Sequence, residues 1–323
     1  MACGARPLEW PCSGGESTDG PAAHLPALQR DSCSSRGAGG VPPPYSRCAF
    51  KSLVAGLPNE AACPALLLEF ETLCALSGQH AASSPDRAAR LPHNAYKNRY
   101  ANIVPFDRNR VRLQGYAEDD DTANYINASF ITGYSGRVEY IAAQGPKEET
   151  TRDFWCMVFE QRVSLIVMLT KLVEGDKVKC YEYYPKLADR FVWGDLALQC
   201  SVLTELPAYT LRTLVMSKGS ERRVVHHLHF REWPDFGCPA SATHVLHICT
   251  TVRRHAALFP GLMLVHCSAG VGRTGTLIAV DILVQAIKAK KKVDVFGVVM
   301  KLREQRQFMV QCQVITASGV SFT

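Results

Sequence analysis

The sequence predicts a single α/β domain, and three observations predict it. The chain has 323 residues, 47% hydrophobic and 20% charged, an ordinary composition for a soluble globular protein with a sizeable core. From residue 96 onward, short strand-like runs alternate with helical stretches, and no linker interrupts them. Near residue 265 an apolar run, a glycine-rich turn and a helical stretch follow one another.

The elements follow in order. Residues 1 to about 55 are rich in Gly, Pro, Ser and Ala and lack helix or strand periodicity, so this stretch is expected to be disordered. Within it, Pro-Pro-Pro-Tyr at 42–45 reads either as an incidental proline cluster in a linker or as a ligand for a small domain. The globular part is expected over 56–312, with helix from Pro64, where Leu66, Leu67, Phe70, Leu73 and Leu76 recur at helical spacing. Strands are expected at 138–143, 164–170, 178–184, 196–203 and 224–230. Helices are expected at 153–161, 243–258, 274–290 and 294–305. No internal repeat occurs.

Composition narrows the function classes. A net charge of +6 suits an anionic substrate but is too small to argue for nucleic acid. The lysine-rich stretch 288–292 reads as a solvated helix end that complements the helix dipole. Thirteen cysteines is an odd number, and no Cys-x-x-Cys pair occurs, which argues against zinc and redox motifs. Reduced thiols in the cytosol are the simplest expectation. The first residues lack the apolar core of a signal peptide, and no apolar run reaches the roughly 18 residues of a membrane span.

Chemistry concentrates at Val265-His266-Cys267-Ser268-Ala269-Gly270-Val271-Gly272-Arg273-Thr274-Gly275-Thr276. A strand, a tight turn of small residues and a helix start place a nucleophile at one lip and a cation at the other. Such a turn aims backbone N–H groups inward at a positive helix terminus and cradles a dianion. The same field favours an ionised sulfur, which makes Cys267 a candidate nucleophile attacking phosphorus. Arg273 is suited to hold two phosphoryl oxygens with its planar fork. The amides of Ser268, Ala269, Gly270, Val271, Gly272 and Arg273 are suited to hold the equatorial oxygens. Thr274 is positioned to donate a hydroxyl hydrogen bond to the sulfur, and His266 to orient the loop. Gly270, Gly272 and Gly275, with Asp294 downstream, also satisfy a dinucleotide fingerprint. Too few residues follow for the remaining strands of a nucleotide-binding sheet, and that fingerprint has no use for the His-Cys pair.

Two further motifs complement the loop. Trp233-Pro234-Asp235-Phe236-Gly237 supplies a carboxyl, Asp235, as the general acid that a phenolate-type leaving group needs. Pro234 stiffens that turn, Gly237 lets it move, and Trp233 offers a bulky anchor. In Lys97-Asn98-Arg99-Tyr100, Tyr100 is a candidate to stack on an aromatic substrate ring and set pocket depth.

Together these residues resemble one family, the phosphotyrosine-specific protein tyrosine phosphatases. The matching motifs also include 124–129, 140–146, Phe154-Trp155, 166–170, Lys179-Cys180, 303–306 and 309–311, in the family's order across about residues 65–312. The resemblance implies one α/β domain with a twisted mixed sheet flanked by helices. It implies a cofactor-free and metal-free hydrolysis of phosphotyrosine-containing proteins in two steps. It implies that Gln311 positions the attacking water, that Tyr100 stacks the phosphotyrosine ring, and that Asn102 contacts the substrate backbone. No nucleic acid partner and no membrane span in this chain are expected.

The sequence departs from the family pattern in places. Gly175 follows Glu174 where a Lys is common, and Phe159 stands where Trp is common. After Gln311 the chain reads Cys312-Gln313-Val314-Ile315, so Ile315 replaces an expected Gln, and 313–323 is a divergent tail in place of a closing helix. The expectation is a truncated or alternatively spliced form that is poorly stable and either weakly active or binds phosphotyrosine without efficient turnover.

Overall fold

A computed structural model describes residues 41–42, 44–46, 64–117, 119–231, 233 and 242–311. The first half runs α1 (Pro64–Ser83), α2 (Arg87–Arg90), a 3-10 turn (Pro92–Lys97), β1 (Arg110–Arg112), β2 (Tyr125–Thr132), β3 (Val138–Ala143), α3 (Thr151–Glu160) and β4 (Val163–Met168). Then come β5 (Val173–Glu174), β6 (Lys177–Val178), β7 (Arg190–Trp193), β8 (Leu196–Glu205), β9 (Thr210–Lys218) and β10 (Glu221–His229). The last elements are α4 (Ala242–Leu258), β11 (Leu262–His266), α5 (Gly272–Lys288) and α6 (Val295–Gln305).

Nine strands form one sheet in the order β1-β2-β3-β11-β4-β10-β9-β8-β7. The four central strands, β3, β11, β4 and β10, are mutually parallel, and antiparallel strands extend the sheet on both sides. Strand β4 (Val-Ser-Leu-Ile-Val-Met) is nearly continuous in apolar side chains because both of its faces are covered. Leu165 and Val167 point into one cluster, with side chains of α1, α4, α5 and α6. Ile166 and Met168 point into the other, with Phe154, Trp155 and Val158 of α3. This layering aligns the C-terminal ends of four parallel strands, where a ligand crevice is expected in open α/β sheets.

The structure differs from the expected elements in specific places. Residues 179–184, read as strand, are irregular, and only Val178 of that segment is in a strand, β6. Tyr183 and Tyr184 are buried there by ring packing, and the Trp155 Nε1–H donates to the Tyr183 carbonyl at 2.7 Å. Aromatic burial, not sheet pairing, produced the strand-like pattern. Strands β1, β2, β7 and β9 were not singled out by periodicity. Among the described side chains of α1 only Leu73 is fully buried, Phe70 and Leu76 are half-buried, and Leu67 is exposed. Helix α5 begins at Gly272 instead of 274. Tyr45, inside the Gly/Pro/Ser-rich stretch, forms an isolated antiparallel bridge with Val293. The expected tail at 313–323 lies outside the described residues.

Candidate active site

Strand β11 ends at His266, and the chain turns through Cys267 to Val271 into α5. The carbonyls of this turn are tied to its outer side. Ser268 O accepts from the Gly145 N–H (2.9 Å), Ala269 O from Arg306 Nη2 (3.1 Å) and Gly270 O from Arg306 Nε (2.9 Å). Val271 O accepts from the Val310 N–H (3.0 Å). In a planar trans peptide the following N–H points opposite to its carbonyl. The amides of residues 269–272 are thereby turned to the inner side. The one that reaches sulfur is Gly270, whose N–H donates to Cys267 Sγ at 3.3 Å. Gly270 is required here: its φ is +72°, and a Cβ would lie 2.1 Å from the Ala143 carbonyl oxygen. Cys267 is almost fully buried, and all six described cysteines carry free thiols.

Arg273, on the first turn of α5, faces a carboxylate the sequence reading gave no role. Its Nη1 and Nη2 donate to the two carboxylate oxygens of Glu174, the second bond at 3.0 Å, and Nη1 also reaches the Leu169 carbonyl at 3.2 Å. Burial would raise the Glu174 carboxyl, but hydrogen bonds and charge from Arg273 outweigh it and hold the group below the ordinary range. Glu174 reaches this position because β5 and β6 form a two-residue-arm hairpin, with Gly175 at φ +56° in its turn. Neither Arg273 Nε–H nor the second Nη2–H is engaged among the described residues, so one edge of the fork stays available.

His266 lies beneath the turn. Its Nδ1 contacts the Cys267 carbonyl at 3.2 Å, and its Nε2 meets the Tyr183 hydroxyl at 2.6 Å. The same hydroxyl meets His227 Nε2 at 2.8 Å. Burial pushes His266 down to about 3, so the ring is neutral at physiological pH.

Tyr100 forms a wall beside the turn. Ser268 Oγ donates its proton to the Lys179 carbonyl (2.9 Å), so the Tyr100 hydroxyl is the donor in its 3.0 Å bond to Ser268 Oγ. The Tyr100 segment is fixed by its neighbour: the Arg99 N–H donates to Gln144 Oε1 (2.8 Å), and Arg99 Nε and Nη2 donate to the Gly145 and Pro146 carbonyls. Thr274 is buried on α5, and its hydroxyl has no hydrogen-bond partner among the described residues. Asn102 and Gln311 are exposed. Trp233 is buried, and its Nε1 has no partner among the described residues. Asp235, with Pro234 and Gly237, lies outside the described residues.

Four residues around the turn escaped the sequence reading as contributors: Glu174, Tyr183, His227 and Arg306. Arg306 stood inside the 303–306 motif without a role. It is fully buried, and beyond its two loop carbonyls it donates to Asn127 Oδ1 (2.8 Å) and Ser129 Oγ (3.2 Å). A buried charge with polar residues of β2 is a detectable signal only once the pairing is known.

The chain matches the family model described as Protein-tyrosine phosphatase over residues 94–315. It is 42% identical over 233 residues to human receptor-type tyrosine-protein phosphatase C, covering 71% of this chain and 18% of that protein. It is 41% identical over 232 residues to human receptor-type tyrosine-protein phosphatase alpha, covering 69% of this chain and 28% of that protein. It is 43% identical over 224 residues to human tyrosine-protein phosphatase non-receptor type 7, covering 68% of this chain and 61% of that protein. The chain thus spans less than a third of the length of these receptor-type relatives. Among the described residues, no helix is long and apolar enough to cross a membrane.

Proposed function

The chain belongs to the protein-tyrosine phosphatase family, and from that premise we propose that it hydrolyses phosphotyrosine in proteins through a phosphocysteine intermediate. The observation that carries this reading is the Cys267 sulfur held by the Gly270 amide inside a turn whose carbonyls at 268–271 are tied to the other side. In the first step the sulfur attacks phosphorus, the P–S bond forms, and the P–O bond to the tyrosyl oxygen breaks. Asp235 gives its proton to that oxygen. In the second step a water positioned by Gln311 attacks phosphorus, its proton passes to Asp235, the P–S bond breaks, and inorganic phosphate leaves.

Charge on the equatorial oxygens is met by the turn amides and by the open edge of Arg273. Glu174 occupies the other edge and sets the orientation of the guanidinium. His266, neutral and hydrogen-bonded to Cys267 O and Tyr183, orients the start of the turn. Thr274, one residue past Arg273, supplies a hydroxyl for the departing sulfur. The Tyr100 ring beside the turn suits an aromatic ring stacked on it, which favours phosphotyrosine over phosphoserine, and Asn102 meets the substrate backbone. The domain responsible is 56–312, and the place of action is the cytosol.

Turnover of an aryl phosphate by the purified chain tests this reading. Activity that disappears in Cys267→Ser supports it, and full activity in that variant removes Cys267 as nucleophile. Equal rates on phosphotyrosyl and phosphoseryl peptides would count against the substrate class.

A further inference from the structure

The proline-rich segment ahead of the domain is docked on it. The Tyr45 N–H donates to Val293 O at 2.8 Å, and the Val293 N–H donates to Tyr45 O at 2.9 Å, forming an antiparallel bridge. The half-buried Tyr45 packs with Leu283 and Ile287 of α5, Val293, and Val295 and Val298 of α6. Pro42 is buried, whereas Val41, Pro44 and Ser46 are exposed. This groove lies at the C-terminal end of α5, a helix of 17 residues whose first turn carries Arg273. At 1.5 Å per residue, roughly 17–22 Å of helix lies between the first residue of α5 and the groove residues Leu283 and Ile287.

We propose that Pro42-Pro43-Pro44-Tyr45 is a ligand for a small domain that reads extended proline-rich segments through an aromatic-lined groove, and that the α5–α6 groove holds it in reserve. Prolines fix φ, so such a segment is extended before it binds and loses little entropy on docking. Its prolines have no N–H to give a sheet edge, and the backbone pairing seen among the described residues is at Tyr45. Tyr45 is the anchor in both complexes. Its ring and backbone cannot face Val293 and a partner groove together, and the two states exclude each other. The docked state rests on a single β-bridge at the edge of the fold, beside the half-buried Tyr45 ring and the buried Pro42, a contact small enough to open locally without unfolding of the domain.

The experiment titrates an isolated WW-type domain into the full chain and into a synthetic peptide of residues 38–50. Binding to the peptide is expected, with the full chain about 5-fold or more weaker, because only the undocked fraction is competent. Ile287→Glu, which spoils the groove, is expected to restore the affinity of the peptide while aryl-phosphate turnover is unchanged. Tyr45→Ala is expected to abolish binding in peptide and chain alike. Equal affinities for peptide and wild-type chain overturn the reserve; a peptide that does not bind, or binding indifferent to Tyr45→Ala, overturns the ligand assignment. Should Ile287→Glu fail to fold, amide hydrogen exchange on the wild-type chain decides. Val293 N–H is expected to lose protection when the domain saturates the chain, and unchanged protection overturns the proposal.

Discussion

Arg273 and Glu174 meet end-on: both terminal nitrogens of the guanidinium face both oxygens of the carboxylate, across 99 residues of sequence. The pairing consumes the Nη1/Nη2 edge of the guanidinium, and the Nε–H and second Nη2–H stay unengaged among the described residues. The orientation of the cation is therefore set by a carboxylate of the domain itself.

Removing Glu174 should cost rate more than stability. Both side chains retain some solvent access, so the pair is not a main source of folding energy. Without the carboxylate the guanidinium is free to swing, and a misplacement of about 1 Å can cost about 100-fold. Glu174→Ala is expected to lower kcat on an aryl phosphate by roughly 10–100-fold with an unchanged far-UV spectrum. An unaltered kcat would remove Glu174 as a positioning residue.

Gly270 tolerates no side chain. Its positive φ costs an L-residue about 1–2 kcal/mol, and the added Cβ would collide with the Ala143 backbone. Gly270→Ala should displace the amide that meets the sulfur, and kcat should fall at least ~10-fold. Retention of wild-type kcat would show that the turn can be rebuilt without this geometry.

Arg306 is a buried clamp, and lysine is a poor replacement for it. One guanidinium spans Ala269 O, Gly270 O, Asn127 Oδ1 and Ser129 Oγ. A single ammonium cannot reach all four, and each orphaned buried acceptor costs about 1–3 kcal/mol. Arg306→Lys should lower both unfolding free energy and kcat. Loss of stability with kcat intact would separate the clamp from the turn's geometry.

Acid should destabilise the fold well above the carboxylate range. Burial holds His229 at about 4 and His266 at about 3, and burial holds His227 well below its ordinary value. The unfolded chain takes up these protons near pH 6.5, and the folded chain does not. Each histidine then contributes stability at neutral pH that is lost as pH falls below 6.5, with a slope approaching about 1.4 kcal/mol per pH unit. Urea unfolding at pH 7, 6 and 5 should show a fall of a few kcal/mol. A flat profile across that window would mean the three rings are not buried as neutral groups.

Legibility followed sequence distance. The placement of Cys267, His266 and Arg273 around one turn was readable because they lie within a few residues of one another in sequence. The parallel strand and helix around them were readable because β11 and α5 keep their apolar patterns intact. Glu174 was not readable, because its role exists only when the β5–β6 hairpin folds back over α5. Arg306 was not readable for the same reason: its four acceptors come from β2 and from the turn. The irregular segment 179–184 imitates a strand because Tyr183 and Tyr184 are buried among Phe154, Trp155 and His227. Tyr45 belonged to a stretch with no periodicity, and a single bridge leaves no repeating pattern to detect.

The most direct measurement is a rapid-quench single turnover with phosphate-labelled aryl substrate, followed by peptide mapping. The expected result is one equivalent of phenol released in a burst, with label on the thiol of Cys267 in the wild-type chain and on no thiol in Cys267→Ser. Turnover that proceeds with Cys267 never labelled, or a burst that survives in Cys267→Ser, would contradict the assignment of this sulfur as the group that takes the phosphoryl from substrate.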